Sequence, residues 1–241
     1  NKFLLAFTCD IDWAPEEVIA DTLNIFEIFG VKCTLFSTHH SLELTKSNRK
    51  LFEIGIHPNF HPLLRGNSNT SYEDILDEIL DTHPEAVGVR THTMMQSVAI
   101  LQKFADKKLL YEANTFMPYQ YGLKAFKLWN NMVRIPFNWE DDVHWAYGYS
   151  FEDARMEIDT DELVIFDFHP IHIYLNTENK YRYNEAKNYL NDPKKLLEYR
   201  NSEVPGTRDL LMNLLKRCKE KELTTHKLKD IAYTCLAEGL L

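Results

Sequence analysis

The sequence predicts an α/β protein with a mostly parallel sheet or barrel in one domain. Three observations predict it. Short apolar runs of strand length alternate with amphipathic, helix-length segments from end to end. No run of 18 apolar residues interrupts them, so no transmembrane segment is expected. Several of the apolar runs end in Asp, His or Arg, and strand tips are where α/β proteins place their binding groups.

At 241 residues and 44% hydrophobic content the chain can bury a substantial core, and one domain over 1–241 is expected, with a helical C-terminal portion over about 181–241. The net charge of −9, without a basic cluster, argues against nucleic acid or anionic membrane as a partner. Lys216, Arg217, Lys219 and Lys221 read as the solvated face of a helix. Cys9, Cys33, Cys218 and Cys235 show no CxxC spacing, which favours a reducing compartment and hence a cytoplasmic location. The apolar start runs into Thr8-Cys9-Asp10 without a small-residue cleavage site, so it reads as a strand and not as a signal peptide.

Phe3 to Cys9 is the first expected strand, followed by Asp10-Ile11-Asp12-Trp13. Pro15, Glu16 and Glu17 open a helix that Gly30 ends. Cys33 to Ser37 is a second strand, and Ser41 to Lys50 is a short helix or a loop. Phe52 to Ile56 is a third strand leading to His57-Pro58-Asn59-Phe60-His61. Leu63 to Thr70, with Gly66, Asn67, Ser68 and Asn69, is a loop, and Ser71 to Asp74 reads as a capping box. Ala86 to Val89 is a short strand delivering Arg90; a helix over Val98 to Lys107 and a strand over Leu109 to Ala113 follow. Leu128 to Phe137 reads as holding a further strand that ends at Ile135-Pro136-Phe137, whereas Asn138 to Tyr149 shows no period. Leu163 to Phe168 is strand-like with one acid and ends at His169-Pro170. Tyr181 to Arg200 reads as a polar surface excursion; Thr207 to Glu222 and Thr225 to Leu236 read as closing helices.

Asp10, Asp12, His57, His61, Arg90 and His169 thus sit at or beyond strand ends that meet on one face of a parallel architecture. Two histidines and a carboxylate make a metal set that leaves coordination positions open. The zincin alternative for HxxxH needs Glu after the first histidine, where this chain has Pro58. The blander alternatives are loop histidines bonded to backbone, Asp12 as a helix cap, Arg90 as a structural ion-pair partner and His169 as a satisfied core histidine.

These residues carry a resemblance to the polysaccharide deacetylases, the NodB-like superfamily of carbohydrate esterase family 4. Thr8-Cys9-Asp10-Ile11-Asp12 resembles their first motif, with one residue between the aspartates. His57-Pro58-Asn59-Phe60-His61 is similar to the second, Arg90 to the arginine of the third, and Phe166-Asp167-Phe168-His169-Pro170 to the last. The resemblance implies a distorted parallel (β/α) barrel, a divalent metal, most often zinc, on Asp12, His57 and His61, Asp10 as general base held by Arg90, and His169 as general acid. Thr91-His92 stand where a small residue and proline are usual, and Trp139-Glu140-Asp141-Asp142 is the nearest match to a fourth motif. Trp13, His92, Trp139 and Asp141 are therefore the candidate substrate contacts, with Trp145 and Tyr147 as further stacking candidates. The implied reaction removes the acetyl group from an N-acetylated sugar or lipid-linked glycan in surface polysaccharide or lipopolysaccharide biosynthesis. A ureide-type amide hydrolase or a non-catalytic carbohydrate-binding member are the alternatives.

Overall fold

The computed structural model describes residues 4–64, 66 and 69–238. Phe3 of the first expected strand, and Asn67 and Ser68 of the expected loop, lie outside the described residues. The elements in chain order are β1 (Leu4–Asp10), α1 (Glu16–Phe29), β2 (Cys33–Ser37), α2 (Leu42–Lys46), β3 (Phe52–Ile56), α3 (His61–Leu64), α4 (Tyr72–Thr82), β4 (Gly88–Val89), α5 (Val98–Asp106), β5 (Tyr111–Glu112), β6 (Phe126–Lys127), β7 (Val133–Arg134), β8 (Trp139–Glu140), α6 (Asp141–Ala146), β9 (Leu163–Phe168), α7 (Pro170–Leu175), α8 (Lys180–Ala186), α9 (Pro193–Glu198), α10 (Thr207–Glu220), β10 (Thr225–His226) and α11 (Leu228–Ala237).

Local chemistry sets the helix ends. Gly30 adopts φ 68 at the end of α1 and donates to Glu27 O, while Ser71 and Asp74 form the expected capping box of α4. Ser41 resolves the ambiguity over 41–50: its hydroxyl accepts from Leu44 N and starts α2.

The strands run β6-β7-β5-β4-β3-β2-β1-β9-β8, with β10 also beside β1. Every pairing is parallel except β6 with β7. The stretch 133–140 closes the circuit. Its first end pairs with β5, Phe137 bridges Phe116, and its last end pairs with β9, so pairing runs from β1 round to β1 again. This is the distorted parallel barrel. Of the expected strand over Leu128 to Phe137, Val133–Arg134 and Phe137 form this wall, whereas 128–132 is the turn that folds β6 back on β7.

Period-two alternation separates two cores. Leu5, Phe7, Cys9, Phe166 and Phe168 face outward and pack under α1, α7 and α10. Ala6, Phe36, Ile165 and Phe137 face inward and pack with Leu228, Ile231 and Ala232 of α11. The helix expected from Thr225 begins only at Leu228, because Thr225 and His226 pair with Leu5 and Ala6 as β10. The expected excursion over 181–200 contains α8 and α9, and buries Ala186 and Leu196 against the outer core. All four cysteines are buried and free, with Cys9 and Cys33 Sγ 3.8 Å apart. Among the described residues, no helix is long and apolar enough to cross a membrane.

Candidate active site

Strand register assembles the polar ends. Cys9 pairs with Phe168, Asp10 with Phe36, and Ile56 with both Ser37 and Val89. Asp10, His57, Arg90 and His169 therefore lie side by side at the carboxyl edge of β1, β3, β4 and β9. Backbone bonds fix two of them there: His57 N donates to Ser37 O at 2.7 Å, and Arg90 N to Ile56 O at 3.1 Å.

Thr8, Asp10 and Asp167 share the inward face and surround Arg90. The fully buried guanidinium lies 4.6 Å from the Phe36 ring centroid and 4.1 Å from that of Phe137. Its Nη1 donates to Asp10 Oδ1 at 3.0 Å, to Thr8 Oγ1 at 2.9 Å and to Asp167; Nε donates to Ala113 O at 3.0 Å. Burial alone would lower the guanidinium pKa, but Asp167 and Asp10 outweigh it and hold it raised. Burial pushes the Asp167 carboxyl up to about 7, with Asp10 adding to the rise and Arg90 opposing it.

Two loops in left-handed conformations supply the rest. Asp12 and Trp13 have φ of 43° and 55°, and Thr93 and Met94 have 57° and 54°. For non-glycine residues such backbone costs roughly 1–3 kcal/mol each and concentrates at functional sites. Trp13 N donates to Thr38 Oγ1 at 2.9 Å, which anchors the first loop to the end of β2. Asp12 Oδ1 then lies 3.2 Å from His57 Nε2 and 3.2 Å from His92 Nδ1, while Oδ2 lies 3.8 Å from His169 Nε2. Burial would raise the Asp12 carboxyl, yet the two histidines hold it well below the usual carboxylate range. Burial would likewise lower His57, and Asp10 with Asp12 raises it instead. That mutual stabilisation marks a place where positive charge is accommodated.

Asp12, His57 and His92 can bring donor atoms within 4.8 Å of one another. Two imidazole nitrogens and one carboxylate fit a zinc-type ion, and His57 Nδ1 is buried without a hydrogen-bond partner. Two other groupings meet the same distance, Asp141 with His169 and His172, and Asp10 with Asp167 and His169. They fit a cation less well. Asp141 already accepts from His169 and from Asp142 N, and the cationic Arg90 sits between Asp10 and Asp167.

The structure does not bring His61 into the first trio. Buried Phe60 docks against Tyr72 and Phe104, His61 begins α3, and its Nε2 lies 2.7 Å from Thr93 Oγ1. Its ring stays 5.8 Å from that of His92, which takes the third corner. His92 is thus a candidate metal ligand as well as a candidate substrate contact.

On the far side, His169 Nδ1 donates to Asp141 Oδ1 at 2.7 Å, and His169 N donates to Asp141 Oδ2 at 2.8 Å. Burial alone would lower His169, but Asp141 outweighs it and raises the imidazole well above its ordinary value. Asp141 and Trp139, expected as substrate contacts, both lie inside the fold. Asp141 is fully buried and turned to His169; Trp139 is fully buried against Phe166, Phe168 and His144. Trp13 is 48% exposed beside His92 and does border open space. His144, read as structural, is buried between Tyr119 Oη and Ser150 O. Sequence reasoning assigned no role to Asp167 or Thr8. The signal was there, a lone acid and a threonine on the inward phase of two apolar strands.

Residues 7–187 match the family model of the WbmS-like polysaccharide deacetylases. The chain belongs to this family. It is a carbohydrate deacetylase. A solved structure from Bordetella bronchiseptica, described as a polysaccharide deacetylase involved in O-antigen biosynthesis, is 38% identical; the match covers 90% of this chain and 91% of that one, with a TM-score of 0.83. A structure described as a polysaccharide deacetylase from Mycobacterium smegmatis shares the fold at 16% identity, covering 99% and 91%, with a TM-score of 0.59. The Bc1960 peptidoglycan N-acetylglucosamine deacetylase does so at 14% identity, covering 96% and 88%, with a TM-score of 0.56. No curated protein matches the deacetylase.

Proposed function

We propose that the chain is a metal-dependent hydrolase that removes the acetyl group of an N-acetylated sugar during assembly of a surface polysaccharide. One observation carries the reading: a single carboxylate, Asp12, lies within 3.8 Å of His57, His92 and the Asp141-paired His169. Asp12, His57 and His92 would hold a divalent metal, zinc by donor type, with His61 adjacent and able to join if it leaves Thr93. When bound, the ion supplies Lewis acidity for the acetamide carbonyl and acidifies water near neutral pH.

The chain's residues do the rest. Asp10, fixed through Oδ1 by Arg90 at 3.0 Å, leaves Oδ2 facing His57 and takes the proton of the attacking water. Arg90 keeps that carboxylate from swinging away. His169, charged by virtue of Asp141, gives its Nε2 proton to the departing nitrogen. Water adds to the carbonyl carbon, the C–N bond breaks, and acetate and a free amino sugar result.

The B. bronchiseptica relative's described role in O-antigen biosynthesis supports the polysaccharide route for this chain. Four buried free thiols support a cytoplasmic, reducing location for the work. The test combines elemental analysis with acetate release from N-acetylated glycans. Wild type should carry near-stoichiometric divalent metal and release acetate. His57→Ala should lose the metal, and Asp10→Asn should keep it yet lose activity by about 10²–10⁴-fold. Metal-free wild type with full activity would overturn the reading.

A further inference from the structure

The proposed reaction has a direction in space. His169 gives its proton to the amine nitrogen, and that nitrogen is bonded to the sugar ring. The ring must therefore lie on the His169 side of Asp12, away from the acetyl methyl. Two cavities of about 580 Å³ flank the site, and Trp13 borders both. One is lined by His57 but not His169. The other is lined by Asp12, His92 and His169, and its outer wall is α8 with the start of the segment that follows it. Its size is within the roughly 300–1,000 Å³ of small-ligand sites.

The chemistry of the second cavity suits a hydroxylated ring. His172 is 6% exposed, and its Nδ1 lies 3.1 Å from Thr177 Oγ1. Thr177 is itself held by Thr207, whose N and Oγ1 both donate to Thr177 O. That clamp fixes the imidazole and leaves Nε2 without a protein partner among the described residues. The Tyr183 ring packs 5.0 Å from His172, and Trp145 packs 6.2 Å from it. Trp145 Nε1 and Asp142 Oδ1 in the same wall are buried without hydrogen-bond partners. Half-buried Asn184 adds an amide one residue beyond Tyr183. Aromatic rings with an imidazole and an amide match the alternating apolar and hydroxyl surfaces of a sugar.

We propose that this cavity is the subsite for the sugar ring bearing the scissile acetamide, and that His172, Tyr183 and Asn184 select that ring. The inference rests on the deacetylase reading for its direction. It gives the stretch 181–200 a purpose: α8 is the outer wall of the specificity pocket.

The experiment uses two readouts on the full chain. Hydrolysis of 4-nitrophenyl acetate reports the reacting centre. Its competitive inhibition by the methyl glycosides of N-acetylglucosamine, N-acetylgalactosamine and N-acetylmannosamine reports occupation of the ring site. At least one glycoside should inhibit wild type, and its Ki should rise tenfold or more in Tyr183→Ala, Asn184→Ala and His172→Asn. Tyr181→Ala, 79% exposed on the outside of α8, should leave Ki unchanged. Ester hydrolysis without inhibition by any glycoside would overturn the inference and leave the hydrolase standing. So would a Ki that none of the three variants moves. Failure of the deacetylase reading would show separately, as no acetate from N-acetylated glycans.

Discussion

Asp10 and Asp167 lie on strands, and Arg90 and His169 directly follow them; Asp12 and His92 lie on the connections beyond the strand ends, and His61 opens α3. The strand group is closed around its own charges. Arg90 is wholly buried and meets two carboxylates, a hydroxyl, a carbonyl and two aromatic rings. The loop group is open. Asp12 and His92 are part exposed, both loops pass through left-handed backbone, and Asp12 Oδ1 meets His92 Nδ1 at 3.2 Å. On the proposed reading the strand group sets where the reaction occurs, and Asp12 and His92 stand beside it as candidate metal ligands.

The sharpest break of that contrast is Arg90→Met. It leaves Asp10 and Asp167 buried without their counter-charge, and a stability loss of about 3–5 kcal/mol is expected by urea unfolding. A loss under about 1 kcal/mol would mean that the network is not closed as described.

Asp141→Asn comes next. His169 must be protonated to donate, and Asp141 is what holds its pKa up against burial. Without that charge the protonated form fails at a lower pH. The alkaline limb of the kcat profile should move to lower pH, with activity near neutrality down about 100-fold. An unmoved limb would remove His169 from the proton path.

The smallest effect separates the loop histidines. His92→Ala should weaken metal binding in a chelator competition by at least the roughly 10–100-fold typical of losing a supporting partner. His61→Ala should change it by no more than about threefold. The reverse order would show that His61 leaves Thr93 and takes the metal, with His92 turned to substrate.

That contrast also explains what could be read from the chain. Strand positions were legible because alternation fixes which side chains face inward. Asp10, Arg90 and His169 were placed at strand tips by apolar runs that end where pairing ends. The choice between His61 and His92 was not legible. It depends on a hydroxyl, Thr93 Oγ1, and on left-handed loop residues, which leave no periodic trace. The burial of Trp139 and Asp141 was not legible for the same reason. The stretch 138–149 has no period, and the pairing of Trp139 with Phe166 that buries it comes from barrel closure. β10 was hidden because two residues are too few to carry a pattern.

β1 has a consequence for timing. It is an early segment of the sequence and pairs with three strands, with β2 beside it after a short crossover. Its other partners, β9 and β10, begin only at Leu163 and Thr225. Pairings so distant in sequence are slow to form, because a long loop must close before any contact rewards it. The strand that carries Asp10 therefore waits half-edged while most of the chain is made. During that interval its apolar, β-prone face is open to pairing with other chains. Refolding yield should thus depend more steeply on protein concentration than final stability does, and the site should be among the last parts to form.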